Sequence, residues 1–382
     1  MVAIIGFGTN GNAQFVHNRV EGVSFLPARV IEVVDDRTSF NEAGARVGSQ
    51  TLRVQLLSGA RRGDIIEARN MLFPIERAVF AQAGTRVIVY FEHLPGSAVH
   101  EYAAHVQSYD RSIAIYTVVL GFFGLLGLVF GKTGLRSAFG LIFTFVIIMF
   151  LLLPLVTNGG PPALLTITLS FVIIAVSLIA IMGFEKKTYV SIAGASIGIL
   201  LYIIFYFIIG AALRITGFNV PEVDMLIIAG FQVGVNQLLF STILIASLGA
   251  LMDVSVSLSS VIAELSATNQ NAGFQELFRS GMKIGRDIIG SSSNTLILAF
   301  MGAFFISLIL FRVNHVHYNL LINHVDIGIE VLRAVSASVA MVLCAPATAL
   351  IGSQAFAAKS NRKKRIAFNA FKYNPKSKRG QS

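Results

Sequence analysis

The stretch IAIYTVVLGFFGLLGLVFGKTGLRSAFGLIFTFVIIMFLLLPLV, residues 113–156, decides the fold. It holds two apolar runs, 113–130 and 138–156, separated by Gly131-Lys132-Thr133-Gly134-Leu135-Arg136-Ser137. Each run approaches the ~20 residues that carry a helix across a ~30 Å hydrocarbon layer. Lipid offers no hydrogen bonds to a backbone, so a helix, which satisfies its own, is the expected conformation. Five more runs follow, at 163–184, 190–213, 225–251, 295–311 and 329–351. With 54% hydrophobic and only 13% charged residues, the chain reads as a polytopic α-helical membrane protein with seven spans between 113 and 352.

The charges orient these spans. Strict alternation places Lys132, Arg136, Lys186, Lys187, Arg279, Lys283, Arg286 and the basic tail on one side, sixteen basic residues in all. The gaps on the other side, 157–162, 214–224 and 312–328, carry Arg214 and Arg312 alone. Cytoplasmic loops are the Lys/Arg-rich ones, so the tail at 353–382 is cytoplasmic and the segment before the first span is extracytoplasmic. That topology predicts a multi-pass membrane protein in contact with the lipid bilayer. The tail anchors topology and offers contact to anionic lipid headgroups.

The net charge of +10 does not signal nucleic-acid binding, because most of the surplus is the tail. Residues 1–112 carry eleven arginines against eleven acidic residues. The single cysteine, Cys344, lies within the last span and forms no disulfide inside one chain.

Residues 23–112 read as a small β-domain. Alternating or β-branched runs at 28–34, 51–57, 64–68 and 86–91 are punctuated by Asp35-Asp36, Ser58-Gly59, Gly63-Asp64 and Gly84-Thr85. Four or five short strands in so short a stretch predict a small barrel resembling an OB-fold. Residues 1–22 read as the end of an upstream apolar helix and a linker, which predicts an eighth span before the present start. Gly6-Phe7-Gly8-Thr9-Asn10-Gly11 matches a dinucleotide fingerprint, but no amphipathic helix or further βα unit follows it, so no cofactor is expected.

Two regions depart from plain apolar spans. Gln232, Asn236 and Gln237 lie in the fifth, with Gln232 and Asn236 four residues apart on one helical face. Asp253, Ser255, Ser257 and Ser259 then recur every second residue, a strand-like period that predicts an interrupted backbone. Broken backbone at membrane depth is found where protein or a wet cavity surrounds it, and such breaks point to transporter sites. Interhelical hydrogen bonding, or a helix with small residues facing water, is the structural alternative.

After a loop at 269–273, residues 274–290 (FQELFRSGMKIGRDIIG) place Phe274, Leu277, Phe278, Ile284, Ile288 and Ile289 on an apolar face, predicting an interfacial helix. Gly281 and Gly285 suit close packing. Arg286 and Asp287 stand where they would gate an inner mouth, or cap and anchor a helix. His315, His317, His324 and Asp326 gather metal-ligand types without a fixed ligand spacing, so solvated loop histidines are the preferred reading and no metal is predicted. Glu330 and Arg333 are expected to pair at the head of the last span.

The blocks GKTGLRS (131–137), ALMDVSVS (250–257) and SGMKIGRDIIG (280–290) make the chain similar to the YibE/F family of bacterial multi-pass membrane proteins, over about residues 26–352. The resemblance implies a Gram-positive plasma-membrane protein with an N-terminal span, an outer soluble segment and a polytopic bundle. The short beginning here departs from that pattern. The resemblance carries no biochemical activity.

No nucleophile elbow, P-loop or H-E-x-x-H motif is present, and the chain is not expected to be an enzyme. The leading expectation is a permease or channel-like protein for a small solute or ion. Gln232, Asn236, Asp253, Ser255, Ser257 and Ser259 would line the route. The alternative is a membrane scaffold whose outer β-domain binds an envelope partner.

Overall fold

The computed structural model describes residues 23–42, 44–59, 61–73, 79–93, 102–216, 221–228, 230 and 234–357. The expected helix remnant at 1–22, its glycine motif and the basic residues from Lys359 onward lie outside these. The chain divides into two compact units, Met1–Leu125 and Leu126–Ser382.

Five strands build the first unit: β1 (Val23–Phe40), β2 (Arg46–Leu56), β3 (Ile65–Leu72), β4 (Arg86–His93) and β5 (Tyr102–Tyr109). They close into a barrel in the order β1-β2-β3-β5-β4. The length of β1 makes closure possible. Its first part pairs with β4, from Val23↔Glu92 to Arg29↔Arg86, and the rest with β2, from Ala28↔Leu56 to Phe40↔Arg46. Register shifts at Val30/Glu32 and Val33/Asp35 accompany this change of partner, as the bending of a bulged strand requires.

Strands β3 and β5 meet in parallel at Arg69↔His105, and the other pairs are antiparallel. Alternation fills the interior with Val30, Leu52, Val54, Ile66, Val87, Val89 and Phe91. Gln50 and Asn70 are buried with them, and each is satisfied. Asn70 Nδ2 donates to Gln50 Oε1 (2.9 Å) and to the Val79 carbonyl, while Gln50 exchanges hydrogen bonds with the Ala81 backbone. This polar clamp pins the approach to β4 against the barrel.

All four expected strands are present, and β5 is additional. Its sequence, YAAHVQSY, has little β-branched character, and pairing with β4 along its length places it.

The second unit is helical, and the division at Leu125 falls within the first helix of the chain. Six stretches among the described residues are long and apolar enough to cross a membrane: Ser112–Thr157, Pro162–Met182, Lys186–Ala212, Val235–Thr268, Phe274–Val313 and Val325–Phe356. The first comprises α1 (Ser112–Ile147), a π-helical turn (Ile148–Leu152) and α2 (Leu153–Thr157), with Pro154 just past the turn. It contains two of the seven expected segments. Between them Gly131 leaves the helical region at φ 57°, ψ −133°, a conformation that favours glycine. A Cβ on Gly134 would fall 2.0 Å from the Leu126 carbonyl oxygen. Eight residues of straight helix span roughly 12 Å, so the chain folds back sharply here.

The remaining elements are α3 (Pro162–Met182), α4 (Lys186–Ala212), α5 (Pro221–Ile228), α6 (Val235–Thr268), α7 (Phe274–Val313), α8 (Tyr318–Ile322) and α9 (Val325–Phe356). The core lies where α4, α6 and α9 meet. Small side chains let them approach: Gly194 and Gly198 on α4 face Thr348, Leu251 and Cys344, and Gly352 on α9 faces Ile262 and Val190. Ser191 Oγ and Ser259 Oγ form a hydrogen bond, and the Ser255 carbonyl lies 3.3 Å from Ser191 Oγ.

Three expectations need correction. The fifth apolar run, 225–251, does not form one helix: α5 ends at Ile228 and α6 begins at Val235. The strand-like stretch after Leu251 is helical, because α6 continues without interruption to Thr268. Its serines support this by back-bonding within the helix, Ser255 to the Met252 carbonyl and Ser259 to that of Val256. Finally, 274–290 is no separate interfacial helix but the first part of α7, packed on α6. Gly281 and Gly285 make this possible, with Ile262 and Leu258 of α6 filling the space their Cβ atoms would take. At 34 and 40 residues, α6 and α7 are roughly 51 and 60 Å long, well beyond the ~30 Å hydrocarbon thickness.

Candidate functional site

The C-terminal end of α4 and the first turns of α6 enclose a cavity of about 450 Å³. Tyr206, Phe207 and Gly210 of α4, Asn236, Gln237 and Phe240 of α6, and Leu332 of α9 line it. Arg214 stands at its edge, two residues past α4, with φ 51°. That turn of the backbone follows a Leu213 cap whose N–H returns to the Ala211 and Ile209 carbonyls. Cavities of 300–1,000 Å³ that are mostly apolar with a few converging polar groups are the usual form of small-molecule sites.

The apolar wall is built of rings in mutual contact. The Tyr206 ring meets Phe240 edge-on at 5.0 Å, and Phe207 stacks on Phe240 at 6.1 Å. Tyr202, fully buried behind them, donates its hydroxyl to the Phe240 carbonyl at 3.2 Å. Tyr206 and Phe240 are buried, whereas Phe207 is 64% exposed. On the polar side the Gln237 amide lies over Gly234, where a Cβ would meet its Nε2 at 3.2 Å.

The structure separates the residues expected to share one route. Gln232 lies outside the described residues. Asn236 lines the cavity. Asp253 is seventeen residues further along α6, which is roughly 26 Å of rise and a different helical face. It is exposed there, four residues from the half-buried Ser257. Ser255 and Ser259 are wholly buried in the seam with α4 and α9. In a helix, positions two apart point in nearly opposite directions, so the four residues divide into two pairs. Arg286 and Asp287 are exposed on α7, beside Gly285 and the Leu258 contact, and neither has an ion-pair partner among the described residues.

Tyr206 and Arg214 were not among the expected site residues. One signal was available for Arg214, since it is one of the two basic residues in the gaps on the sparse side. Nothing in the sequence distinguishes Tyr206 from the other aromatic residues of its span.

A second cavity, about 440 Å³, lies between α7 and α9 and is almost entirely apolar. Glu330 borders it and accepts from Arg333 at 2.8 Å, the pair expected from their spacing. The Arg333 guanidinium also sits 6.0 Å from the Phe300 ring centre. His317 and His324 act as helix caps: their Nδ1 atoms accept from the Asn319 and Asp326 backbone N–H groups. No group of three or more His, Cys, Asp or Glu side chains placed to hold a metal occurs among the described residues.

The family model for YibE/F-like protein matches residues 118–358. The chain belongs to the YibE/F family. The match takes in every residue named around both cavities, and with the six apolar helices it makes this YibE/F chain an integral membrane protein whose exposed helix faces meet lipid. No curated protein and no solved structure matches the chain.

Proposed function

We propose that this YibE/F protein is a plasma-membrane permease or channel-like transporter of a small solute or ion, and that its solute binds in the cavity of Asn236, Tyr206 and Arg214. The observation that carries this reading is the cavity itself, a polar edge set against a fixed aromatic wall at one end of the helical unit. A helix bundle that served only as an anchor would have no need of such a site. The turn at Gly131 supports counting Ser112–Thr157 as two crossings and the whole as seven. Sixteen basic residues against two support assigning the Arg214 end to the outer side, the side also proposed for the segment before the first span.

In this reading the cavity is the outer binding station. Asp253 and the half-buried Ser257, on one face of α6, and Arg286 and Asp287 of α7 form the inner polar station. Ser255 and Ser259 pack the seam and leave the route. Strand order and the single parallel pair of the barrel support an OB-like fold.

The test is solute flux into proteoliposomes from a panel of ions and small solutes. Asn236→Ala is expected to abolish the flux that the wild-type protein supports while leaving protein in the membrane. A panel in which no solute moves, or flux unchanged in Asn236→Ala, would refute the assignment.

A scaffold role draws support from a different observation. The barrel exposes Phe25 (58%) and Phe40 (68%), with Phe25 edge-on to Tyr90, which suits contact with an envelope partner. Cross-linking in cells from position 25 that trapped a specific protein or wall component, combined with absence of flux, would favour it.

A further inference from the structure

The outer cavity also carries information about the sign of its ligand. Among its described lining residues Arg214 is the only charged one, and none of them is a carboxylate. Arg214 has no ion-pair partner among the described residues. An arginine keeps its charge under all physiological conditions and offers a planar fork of donors that matches a carboxylate. Asn236 and Gln237 add amide groups in the first turn of α6, where the helix dipole favours negative charge. Further along the helices the lining is apolar: Phe240, one turn on from Asn236, and Leu332 are 3% and 1% exposed, and Tyr206 is 8% exposed.

From this juxtaposition we infer that the ligand of the outer cavity is a small organic monoanion, its carboxylate held at Arg214, Asn236 and Gln237 and its apolar body laid on Tyr206, Phe207 and Phe240. The inference deepens the transport reading and rests on the same cavity. A cation finds no counter-charge among the described lining residues. A neutral apolar solute makes no use of the guanidinium, and an inorganic anion leaves the aromatic rings unused. The volume, about 450 Å³, holds a single-ring acid with room for water.

The experiment uses the full-length protein, purified in detergent, and saturation binding of radiolabelled benzoate. Competition by benzamide, benzylamine and acetate separates charge from shape. Benzoate is expected to bind saturably, with benzamide, benzylamine and acetate each at least tenfold weaker. Arg214→Gln should weaken benzoate at least tenfold, Arg214→Lys should retain part of the affinity, and Arg312→Gln should leave it unchanged. Gln237→Glu, which brings a carboxylate into the cavity, should lower benzoate binding even if Arg214→Gln fails to elute as a folded protein.

Benzamide equal to benzoate, preference for benzylamine, unchanged affinity in a folded Arg214→Gln, or no saturable benzoate binding would each overturn the inference. The transport reading fails separately. Benzoate binding with no flux of any solute removes the permease and leaves the anion site. Flux of a neutral or cationic solute lost in Asn236→Ala, without benzoate binding, does the reverse.

Discussion

Thr348 of α9 occupies the space that a side chain on Gly194 of α4 would need: a Cβ added there would lie 2.0 Å from Thr348 Oγ1 and 2.9 Å from its Cβ. Thr348 cannot turn away freely, because its hydroxyl donates to the Cys344 carbonyl at 2.9 Å and Cys344 Sγ reaches the Gly194 carbonyl at 3.4 Å. Gly194→Ala should therefore strain the α4–α9 contact. Overpacking of a tight core costs about 1–3 kcal/mol. A lowered midpoint in detergent melting followed by size exclusion is expected, and Gly194→Ala with Thr348→Ala should recover only part, since position 348 keeps its Cβ. An unchanged midpoint for Gly194→Ala would show that the helices are further apart.

The serines of α6 give a second prediction. Ser259 shares a hydrogen bond with Ser191 inside the seam, whereas Ser257 is half-buried on another face. Ser259→Ala is expected to cost about 0.6 kcal/mol, the usual size of an interhelical hydrogen bond in a membrane protein. Ser257→Ala should be close to neutral. Equal effects from both in the same melting assay would favour an irregular backbone over a continuous helix.

Long apolar runs are strong signals, and all seven lie on or overlap helices of the structure. Strand positions in the barrel were legible from alternation and turn residues. Asp253, Ser255, Ser257 and Ser259 misled because a period of two suggests a strand, while small polar residues also serve helices that must approach closely. The amphipathic pattern at 274–290 is real, but it belongs to the start of a longer helix: Leu277 of the apolar face is buried and Gly281 and Gly285 abut α6, while Phe274 and Ile284 stay exposed. The cavity was legible only through Asn236. Arg214 and Tyr206 reach it because α4 and α6 run side by side, a relationship that no local pattern encodes.

At the end of the barrel, Asp110 is held below the usual carboxylate range. The Ser112 hydroxyl is the main cause, its backbone N–H donates as well, and the Arg86 guanidinium at 3.5 Å assists, while burial works in the opposite direction. A carboxylate with a lowered folded-state pKa stabilises the fold above its unfolded value of about 3.9, and the contribution fades as pH falls through the lower folded value. Ser112→Ala should thus move the acid-unfolding midpoint of the barrel to higher pH, followed by tyrosine near-ultraviolet circular dichroism. Asp110→Asn should lower stability at neutral pH and flatten the acid limb. A Ser112→Ala midpoint equal to wild type would contradict the assignment.

Gly131 provides a fourth test. Its φ of 57° with ψ −133° is strained for any residue carrying a Cβ, and Gly134 abuts the Leu126 carbonyl three residues later. Gly131→Ala is expected to lower stability by about 1–3 kcal/mol, the usual cost of such backbone strain. Gly134→Ala should be at least as harmful. If both variants melt as wild type, α1 runs straight through this point and the count of seven crossings loses its support.

In the proposed topology the cavity of Asn236, Tyr206 and Arg214 opens on the face opposite the basic loops. This placement is tested most directly by single cysteines at Glu67 in the barrel, Arg214 at the cavity, and Lys132 and Lys283 in the basic segments, placed in a Cys344→Ala background and exposed in intact cells to a membrane-impermeant maleimide. Labelling of the Glu67 and Arg214 positions, with Lys132 and Lys283 modified only after the cells are opened, is the predicted result. Labelling of Arg214 and Lys283 from the same side of the intact membrane would contradict it.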